Sequence, residues 1–333
     1  MQMIKDKYGR MFRTLRVSLL NHCNMGCVYC VTDEDELREH KGAGGQQAMP
    51  PQQALTGGQQ ALSLADLLTI IDRLQGQLGL DTVRLTGGEP LLYPGLVELI
   101  GGIRSIGIPR IKLTTNGFLL ERSAGRMKAA GLESINVSLD AIDEEVFRRM
   151  SRRYSVQRIV RGIDAALDAG LDVKINTVVL KGMNDSQILP LLEFAFSRNC
   201  RIRFLEVMAM GHLHAQPGQY LLSQDEILKV IGEQYMLEPQ ERAESATARY
   251  WRTGDGHCFG IIANESEPFC QDCNRLRLDS SGNIFGCLSS NQPIRLDLAE
   301  SRDEWGVKLQ QALLQKQALR FIGSELSMLQ IGG

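Results

Sequence analysis

The sequence predicts an α/β chain, an open six-unit (β/α) partial TIM barrel followed by a smaller C-terminal domain, and three observations predict it. Short β-branched runs alternate with amphipathic helical stretches, one side of each run is polar, and the cysteines gather towards the two ends of the chain. The 333 residues, 43% of them hydrophobic, suffice to bury the core of a barrel and an appendix.

The strand-like runs are Arg13 to Leu20, Thr82 to Leu85, Ile111 to Thr115, Ile135 to Leu139, Val173 to Val179 and Ile202 to Val207. From the second onward they recur roughly every 25 to 40 residues, a βα-repeat rhythm. Between the first two, Leu64, Leu67, Leu68, Ile71 and Leu74 follow the i, i+3, i+4 spacing of a buried helical face, and Ser63 with Asp66 resembles a capping box. Parallel strands joined in this way pack inside a helical layer and bind ligands at their C-terminal ends; a doubly wound sheet is the competing arrangement. Lys41 to Ala61, with paired glutamines, glycines and Pro50-Pro51, interrupts the rhythm and reads as a solvated mobile insertion. After Ser223 come a helix over Asp225 to Tyr235, a segment richer in Arg and Glu, the second cysteine group and a helical run from Glu304 to Ile322. The expected division is therefore 1–215 for the barrel and 216–333 for the C-terminal domain.

A parallel strand buried on both sides reads as a nearly unbroken apolar run. These strands instead carry Arg16 and Ser18, Arg84 and Thr86, Thr114 and Asn116, Ser138 and Asp140, and Lys174 and Asn176 at alternate positions. Repeated around a barrel, the alternation lines the interior with cations, hydroxyls and amides, which suits a large polar anion. With 37 Lys and Arg against 39 Asp and Glu, the net charge of -2 gives no overall field for nucleic acid or an anionic membrane. An anionic ligand must be held by local basic residues. No apolar run reaches about 18 residues, and Met1 to Arg13 is too charged for a signal-peptide core, so the expected address is the cytoplasm. In that reducing compartment eight cysteines are metal ligands or catalytic thiols before they are disulfides.

Cys23-x3-Cys27-x2-Cys30 follows the first strand and offers three thiolates from one tight loop, enough for three corners of a four-iron, four-sulfur cube. The remaining iron is open to the amino and carboxylate groups of a small molecule. A zinc loop completed by His22 or a remote ligand is the alternative. Gly87-Gly88-Glu89-Pro90 follows the second strand, where glycine lets backbone approach a ligand with no Cβ in the way. Cys270-x2-Cys273-x13-Cys287 offers a second trio and encloses Asn274-Arg275-Leu276-Arg277. A zinc site completed by Cys258 or His257 fits that spacing poorly, because no second Cys-x2-Cys follows. Cys200 is expected as a small buried apolar residue, and His212 and His214 as surface residues of a loop.

The first cysteine spacing, with Tyr29 before its third cysteine, and the glycine-rich turn resemble the radical S-adenosylmethionine superfamily. Arg84-Leu-Thr-Gly-Gly-Glu-Pro, Leu113-Thr-Thr-Asn-Gly, Asn136-Val-Ser-Leu-Asp, Lys174-Ile-Asn-Thr-Val, Arg203-Phe-Leu-Glu, the second trio and the terminal Gly332-Gly333 narrow the resemblance. From Arg10 to Gly333 the chain is similar to the lyase family that cyclises GTP in the first step of molybdenum cofactor biosynthesis. Val31-Thr32, in place of the common Met-Pro or Leu-Pro, and the glutamine-rich insertion depart from the family pattern.

The resemblance implies two 4Fe-4S clusters, one on each trio, so that the C-terminal domain is cluster-binding. It implies S-adenosylmethionine against Tyr29, Gly88, Ser138 and Met208, and GTP against Arg16, Arg84, Thr114, Lys174, Arg203, Arg275, Leu276 and Arg277. Arg275, Arg277, Gly332 and Gly333 take catalytic roles by the same resemblance, the tail reaching into the active site. Guanidinium forks suit the triphosphate by charge-assisted, often bidentate bonds. The implied chemistry is reductive cleavage of S-adenosylmethionine, hydrogen abstraction from C3′ of the ribose and closure of that carbon onto C8 of the guanine. Implied partners are a flavodoxin- or ferredoxin-type reductant, a downstream cyclic pyranopterin monophosphate synthase and a second copy of the chain. Two rival readings are a peptide-modifying radical enzyme, which usually has more C-terminal cysteines, and a zinc-stabilised binding protein, which predicts a colourless preparation.

Overall fold

The computed structural model describes residues 4–32, 62–216 and 218–331. The glutamine- and glycine-rich insertion at 41–61 and Gly332-Gly333 lie outside those residues.

All six expected strands form. β1 (Thr14–Ser18), β2 (Thr82–Thr86), β3 (Arg110–Thr115), β4 (Ser134–Ser138), β5 (Asp172–Val179) and β6 (Arg201–Glu206) lie side by side in chain order and run parallel. The crossovers hold α1 (Leu64–Leu78), α2 (Leu96–Ser105), α3 (Ala124–Ala130), α4 (Glu144–Ser151), α5 (Val156–Asp168) and α6 (Ile188–Ser197). Helix α1 starts where the Ser63 hydroxyl accepts the Asp66 N–H, and it stops at Gly79, whose φ of 61° is left-handed. Only that arm of a capping box forms, Asp66 N donating to Ser63 Oγ at 3.1 Å; the Asp66 carboxylate accepts the Ser63 hydroxyl at 2.7 Å in place of the Ser63 N–H.

After β6 the chain forms α7 (Gln224–Gly232), β7 (Leu237–Pro239), β8 (Arg249–Thr253), β9 (Cys258–Ile262), β10 (Arg275–Leu278), β11 (Asn283–Phe285), β12 (Ile294–Arg295), α8 (Arg302–Leu314) and α9 (Met328–Ile331). These strands enlarge the same sheet at both edges. β9 joins β6 in parallel and carries antiparallel β8 and β7 beyond it, while β10 joins β1 in parallel and carries antiparallel β11 and β12. The result is one open twelve-stranded sheet with a parallel centre. The helical run expected over 304–322 is shorter than its sequence pattern: α8 ends at Leu314, and Gln315 instead turns its side chain onto Gly286 N and Gln292 O, each at 2.8 Å.

Strand alternation sorts the side chains. Leu15, Val17, Val83, Leu85, Ile111, Leu113, Ile135 and Val137 are wholly buried in the apolar core. The intervening residues face the concave side, where Arg16 lies in register with Arg84 on one neighbour and Arg277 on the other. The apolar core is continuous from Phe12 to Leu313, so the C-terminal elements share it. Helix α8 docks on α1 through Trp305, which is wholly buried and donates its indole N–H to Asp297 O at 2.7 Å. Arg73 lies 5.2 Å from that ring and donates to Glu300 O at 3.1 Å, and Gln77 donates to Arg302 O at 3.0 Å. No helix among the described residues is long and apolar enough to cross a membrane.

Trp305→Ala is expected to cost about 3–5 kcal/mol of stability, read from the urea midpoint. An unchanged midpoint would show that α8 is not packed as described.

Candidate active site

All eight cysteines are free thiols. The loop bearing Cys23, Cys27 and Cys30 is held by the end of α4: Gly26 N and Val28 N donate to Ser151 O and Met150 O, each at 3.0 Å. Arg152, left-handed at φ 55°, ends α4 and donates to Gly26 O at 2.9 Å and Val31 O at 3.2 Å. Within the loop, Cys30 N and Val31 N donate to Cys27 O at 2.8 and 3.1 Å, a turn that puts Cys27 and Cys30 on one side. Burial pushes the Cys30 thiol up to about 12, helped by Cys23 and Asp140, and pushes Cys27 up as well. Such a trio ionises fully only against positive charge, which cluster iron supplies. Among the described residues, no group of three His, Cys, Asp or Glu is gathered tightly enough for a single metal ion. Cube-corner ligation, with each thiolate on its own iron, does not need that convergence.

The glycine-rich turn is built against this loop. A Cβ on Gly88 would stand 2.0 Å from His22 O and 2.4 Å from its carbon, so backbone packs on backbone with no room between. Gly88 N donates to Leu20 O at 2.6 Å and Glu89 N to His22 O at 2.9 Å. The wholly buried Glu89 carboxylate then fastens the turn to the end of β3, accepting from Leu91 N at 2.9 Å, Thr115 Oγ1 at 2.5 Å and Asn116 N at 2.7 Å. Burial outweighs these bonds and raises its pKa to about 7. Asn116 completes the circuit, donating to Asn24 Oδ1 at 2.8 Å and lying 3.6 Å from Cys23 Sγ. Tyr29 donates its hydroxyl to Asp140 at 2.7 Å, a carboxyl that burial raises to about 6.

Above the strand ends lies a cavity of about 240 Å³, walled by side chains from both parts of the chain. Arg16, Arg84, Arg203, Arg275, Arg277 and Lys316 all line it. Among the described residues lining it, Glu206 is the one carboxylate, and it is occupied: Gln224 N and Glu265 N donate to it at 2.8 Å, Ser266 N at 2.9 Å, and Ser266 Oγ as well. Burial, then the nearness of Arg203 and Arg275, lowers Arg84 to about 9; burial and Arg275 lower Arg277 to about 10. Arg16 is pushed well down by burial and by Arg277, Arg84 and Arg275. Arg84 donates to Thr114 Oγ1 at 3.3 Å and Arg203 to Asn176 Oδ1 at 2.9 Å, while Arg16 Nε and Arg203 Nη2 are buried without a partner. Orphaned guanidinium donors in a chamber rich in cations have the chemistry to take a polyanion.

Cys270, Cys273 and Cys287 also line the cavity. Arg10 donates to Cys270 O at 2.5 Å, and Lys316 donates to Cys273 Sγ at 3.4 Å and to Arg275 O. A Cβ on Gly286, next to Cys287, would meet Ala312 O at 1.6 Å, so α8 presses directly on the third thiol's strand end. Burial alone would raise Cys273, but Arg275 and Lys316 bring it down to about 6; burial and the other two thiols push Cys270 up to about 11. Three thiols on one cavity wall with cations beside them have the donor set for a cluster.

Of the residues expected at the site, Tyr29, Met208, Thr114, the five arginines and the second trio line this cavity. Gly88 lies beneath the first thiol loop, and Ser138 closes β4 in register with Asn176. Neither of these, nor Cys23, Cys27 and Cys30 of the first loop, lines the cavity, and Lys174 and Leu276 are also not brought to its wall. Lys174 lies nearer the foot of β5, its ammonium on Asp172, which Arg201 also pairs at 3.3 Å. Leu276 points away from its flanking arginines and is wholly buried in the core. Sequence reading missed Lys316, Arg10 and the circuit through Glu89; it placed Lys316 inside a helix, where a lone lysine carries no signal.

Residues 17–195 match the Radical SAM superfamily and 200–321 match Molybdenum Cofactor Synthesis C. The GTP 3′,8-cyclase of Synechocystis sp. is 36% identical over 328 residues, covering 98% of this chain and 94% of that one. The chain belongs to the GTP 3′,8-cyclase family of the radical S-adenosylmethionine superfamily. The Staphylococcus carnosus member is 38% identical over 291 residues, 86% of this chain and 82% of that one. Among solved structures, native anSMEcpe with bound AdoMet superposes with a TM-score of 0.62 at 12% identity, over 92% of this chain and 82% of that one. Streptococcus suis SuiB bound to S-adenosylmethionine gives 0.59 at 13%, over 89% and 65%. At those identities the shared property is the fold. Family membership carries S-adenosylmethionine and an iron-sulfur cluster, and the first thiol loop has the donor set for it.

Gly88→Ala is expected to force the first thiol loop away from the turn, lowering iron content after anaerobic reconstitution while circular dichroism is retained. Full iron loading would show that the backbone has room. Between its ordinary 4.5 and about 7, Glu89 keeps a proton in the folded chain that the unfolded chain has lost. Its contribution to stability is thus complete at low pH and is lost as pH rises through about 7. Glu89→Gln removes that slope, and it leaves one backbone N–H facing an amide N–H₂ at a cost of about 1–3 kcal/mol near pH 5. Denaturation curves of both proteins from about pH 5 to about pH 8 check the sign; parallel curves would mean that Glu89 stays ionised throughout.

Proposed function

We propose that this chain holds two 4Fe-4S clusters, one on each cysteine trio, and converts GTP to (8S)-3′,8-cyclo-7,8-dihydroguanosine 5′-triphosphate, the first step of molybdenum cofactor biosynthesis. The observation that carries the reading is one cavity lined by Arg16, Arg84, Arg203, Arg275, Arg277 and Lys316 together with the second trio and Tyr29 of the first loop. Its support is the family relation over nearly the whole chain.

Bound at the first trio, the cluster with S-adenosylmethionine supplies hydrogen-atom abstraction at the ribose C3′. The residues do the rest. Arg16, Arg84, Arg203 and Arg277 take the triphosphate oxygens, Thr114 contributes a hydroxyl, and the trio of Cys270, Cys273 and Cys287 faces the guanine. Lys174 joins them only by leaving Asp172, and Leu276 contributes through backbone alone. Tyr29, Gly88, Ser138 and Met208 border S-adenosylmethionine. Arg275, Arg277 and the Gly332-Gly333 tail complete the catalytic group; in support, Met328 lines the cavity, and Ser324 N donates to Ala209 O at 3.1 Å, anchoring the segment that leads there. A fixed cationic chamber places C3′ and excludes water, which protects a radical path from quenching. A flavodoxin- or ferredoxin-type protein supplies electrons in the cytoplasm, a homodimer is the working form, and cyclic pyranopterin monophosphate synthase consumes the product.

Anaerobically reconstituted protein is expected to be brown with about eight irons per chain. With GTP, S-adenosylmethionine and dithionite it should yield 5′-deoxyadenosine and an isomer of GTP, separable by chromatography and fragmentation in mass spectrometry. Colourless zinc protein, or S-adenosylmethionine cleavage with GTP unchanged, would defeat the reading. Arg84→Ala should weaken GTP binding by at least about tenfold, since a charge-assisted bond contributes about 1.5–3 kcal/mol.

A further inference from the structure

Lys316 lies outside the motifs that carry the family resemblance, yet it occupies a central position. It is 94% buried by its 6% exposure, lines the cavity, and rests 4.9 Å from the Phe12 ring. Its ammonium donates to Cys273 Sγ at 3.4 Å and to the carbonyl of Arg275. Each thiol of the second trio has one support from elsewhere in the chain. Arg10 holds the Cys270 carbonyl at 2.5 Å, and the Gln315 side chain holds the N–H of Gly286, next to Cys287, at 2.8 Å. Of these supports, Lys316 alone reaches a sulfur atom.

We infer that Lys316 is a positioning residue that sets the reduction potential of the second cluster. A buried cation donating to a ligand sulfur stabilises the negative charge gained on reduction and so raises the potential. Solvent screening is weak at a site this enclosed. The inference rests on the two-cluster reading above.

The test is a redox titration followed by electron paramagnetic resonance on anaerobically reconstituted full-length protein, without GTP or S-adenosylmethionine. Lys316→Met removes charge and donors at nearly constant length, and Lys316→Gln restores a neutral donor. In the Met variant the reduction equilibrium of the second cluster should fall at least about tenfold, a midpoint lower by about 59 mV for one electron. The Gln variant should fall less, and the first cluster, as internal reference, should not move. Both variants loaded with two clusters and an unmoved second midpoint would overturn the inference alone. About four irons per wild-type chain would overturn the two-cluster reading and the inference with it.

Discussion

Like charge crowded into a buried chamber is the constraint from which the rest of the architecture follows. Arg16 lies between Arg84 and Arg277 in strand register, Arg203 and Arg275 complete the group, and among the described lining residues the one carboxylate, Glu206, already accepts hydrogen bonds from other groups. Each guanidinium there gives up hydration, and each repels its neighbours, so the empty chamber opposes folding. The opposing contribution comes from the other side of the sheet, where the apolar strand residues and the helices form one uninterrupted core. Acidic residues near the chamber are spent elsewhere: Glu206 binds the turn after β9, and Asp172 neutralises Lys174 and Arg201 at the foot of β5. The chamber thereby keeps its positive charge.

Both thiol loops are fixed by the same device, a glycine whose missing Cβ lets one backbone rest on another. Gly88 meets His22 beside Cys23, and Gly286 meets Ala312 beside Cys287. Contacts between main chains have no rotamer freedom, so they locate a loop more rigidly than a side chain can. That rigidity matters at the first loop, where three sulfurs would have to match one inorganic cube. The ionic supports act on top of it: Arg152 on the first loop, Arg10 and Lys316 on the second.

The strands were legible because β-branched runs and period-two polarity are local signals, and Arg16, Arg84 and Thr114 lie where that alternation places them. The cysteine trios were legible because their spacing is itself chemical. What escaped was whatever depends on distant packing. The run over 304–322 has helical composition throughout, but beyond Leu314 the chain is recruited by Gly286, Gln292 and Cys273. Tertiary contacts there override propensity. Leu276 shares a motif with two arginines, yet strand alternation turns it to the core; Lys174 shares a strand face with Asn176 but lies a step lower, within reach of Asp172. Glu89 carried no sequence signal beyond its place in a turn, since its three donors come partly from a different strand.

The two family regions of this chain line one cavity and share one sheet. Without the strands after residue 215, β1 and β6 would both become edges, presenting unpaired backbone groups where β10 and β9 now join. Half of the cationic wall, Arg275, Arg277 and Lys316, would go with them, as would the second trio. The parallel pairing of β10 with β1 is the decisive contact, because it sets Arg277 beside Arg16 across more than two hundred residues of intervening chain. The second cysteine trio and Tyr29 of the first thiol loop therefore border one chamber through a sheet register, and the sequence between them serves to build the barrel that makes the register possible.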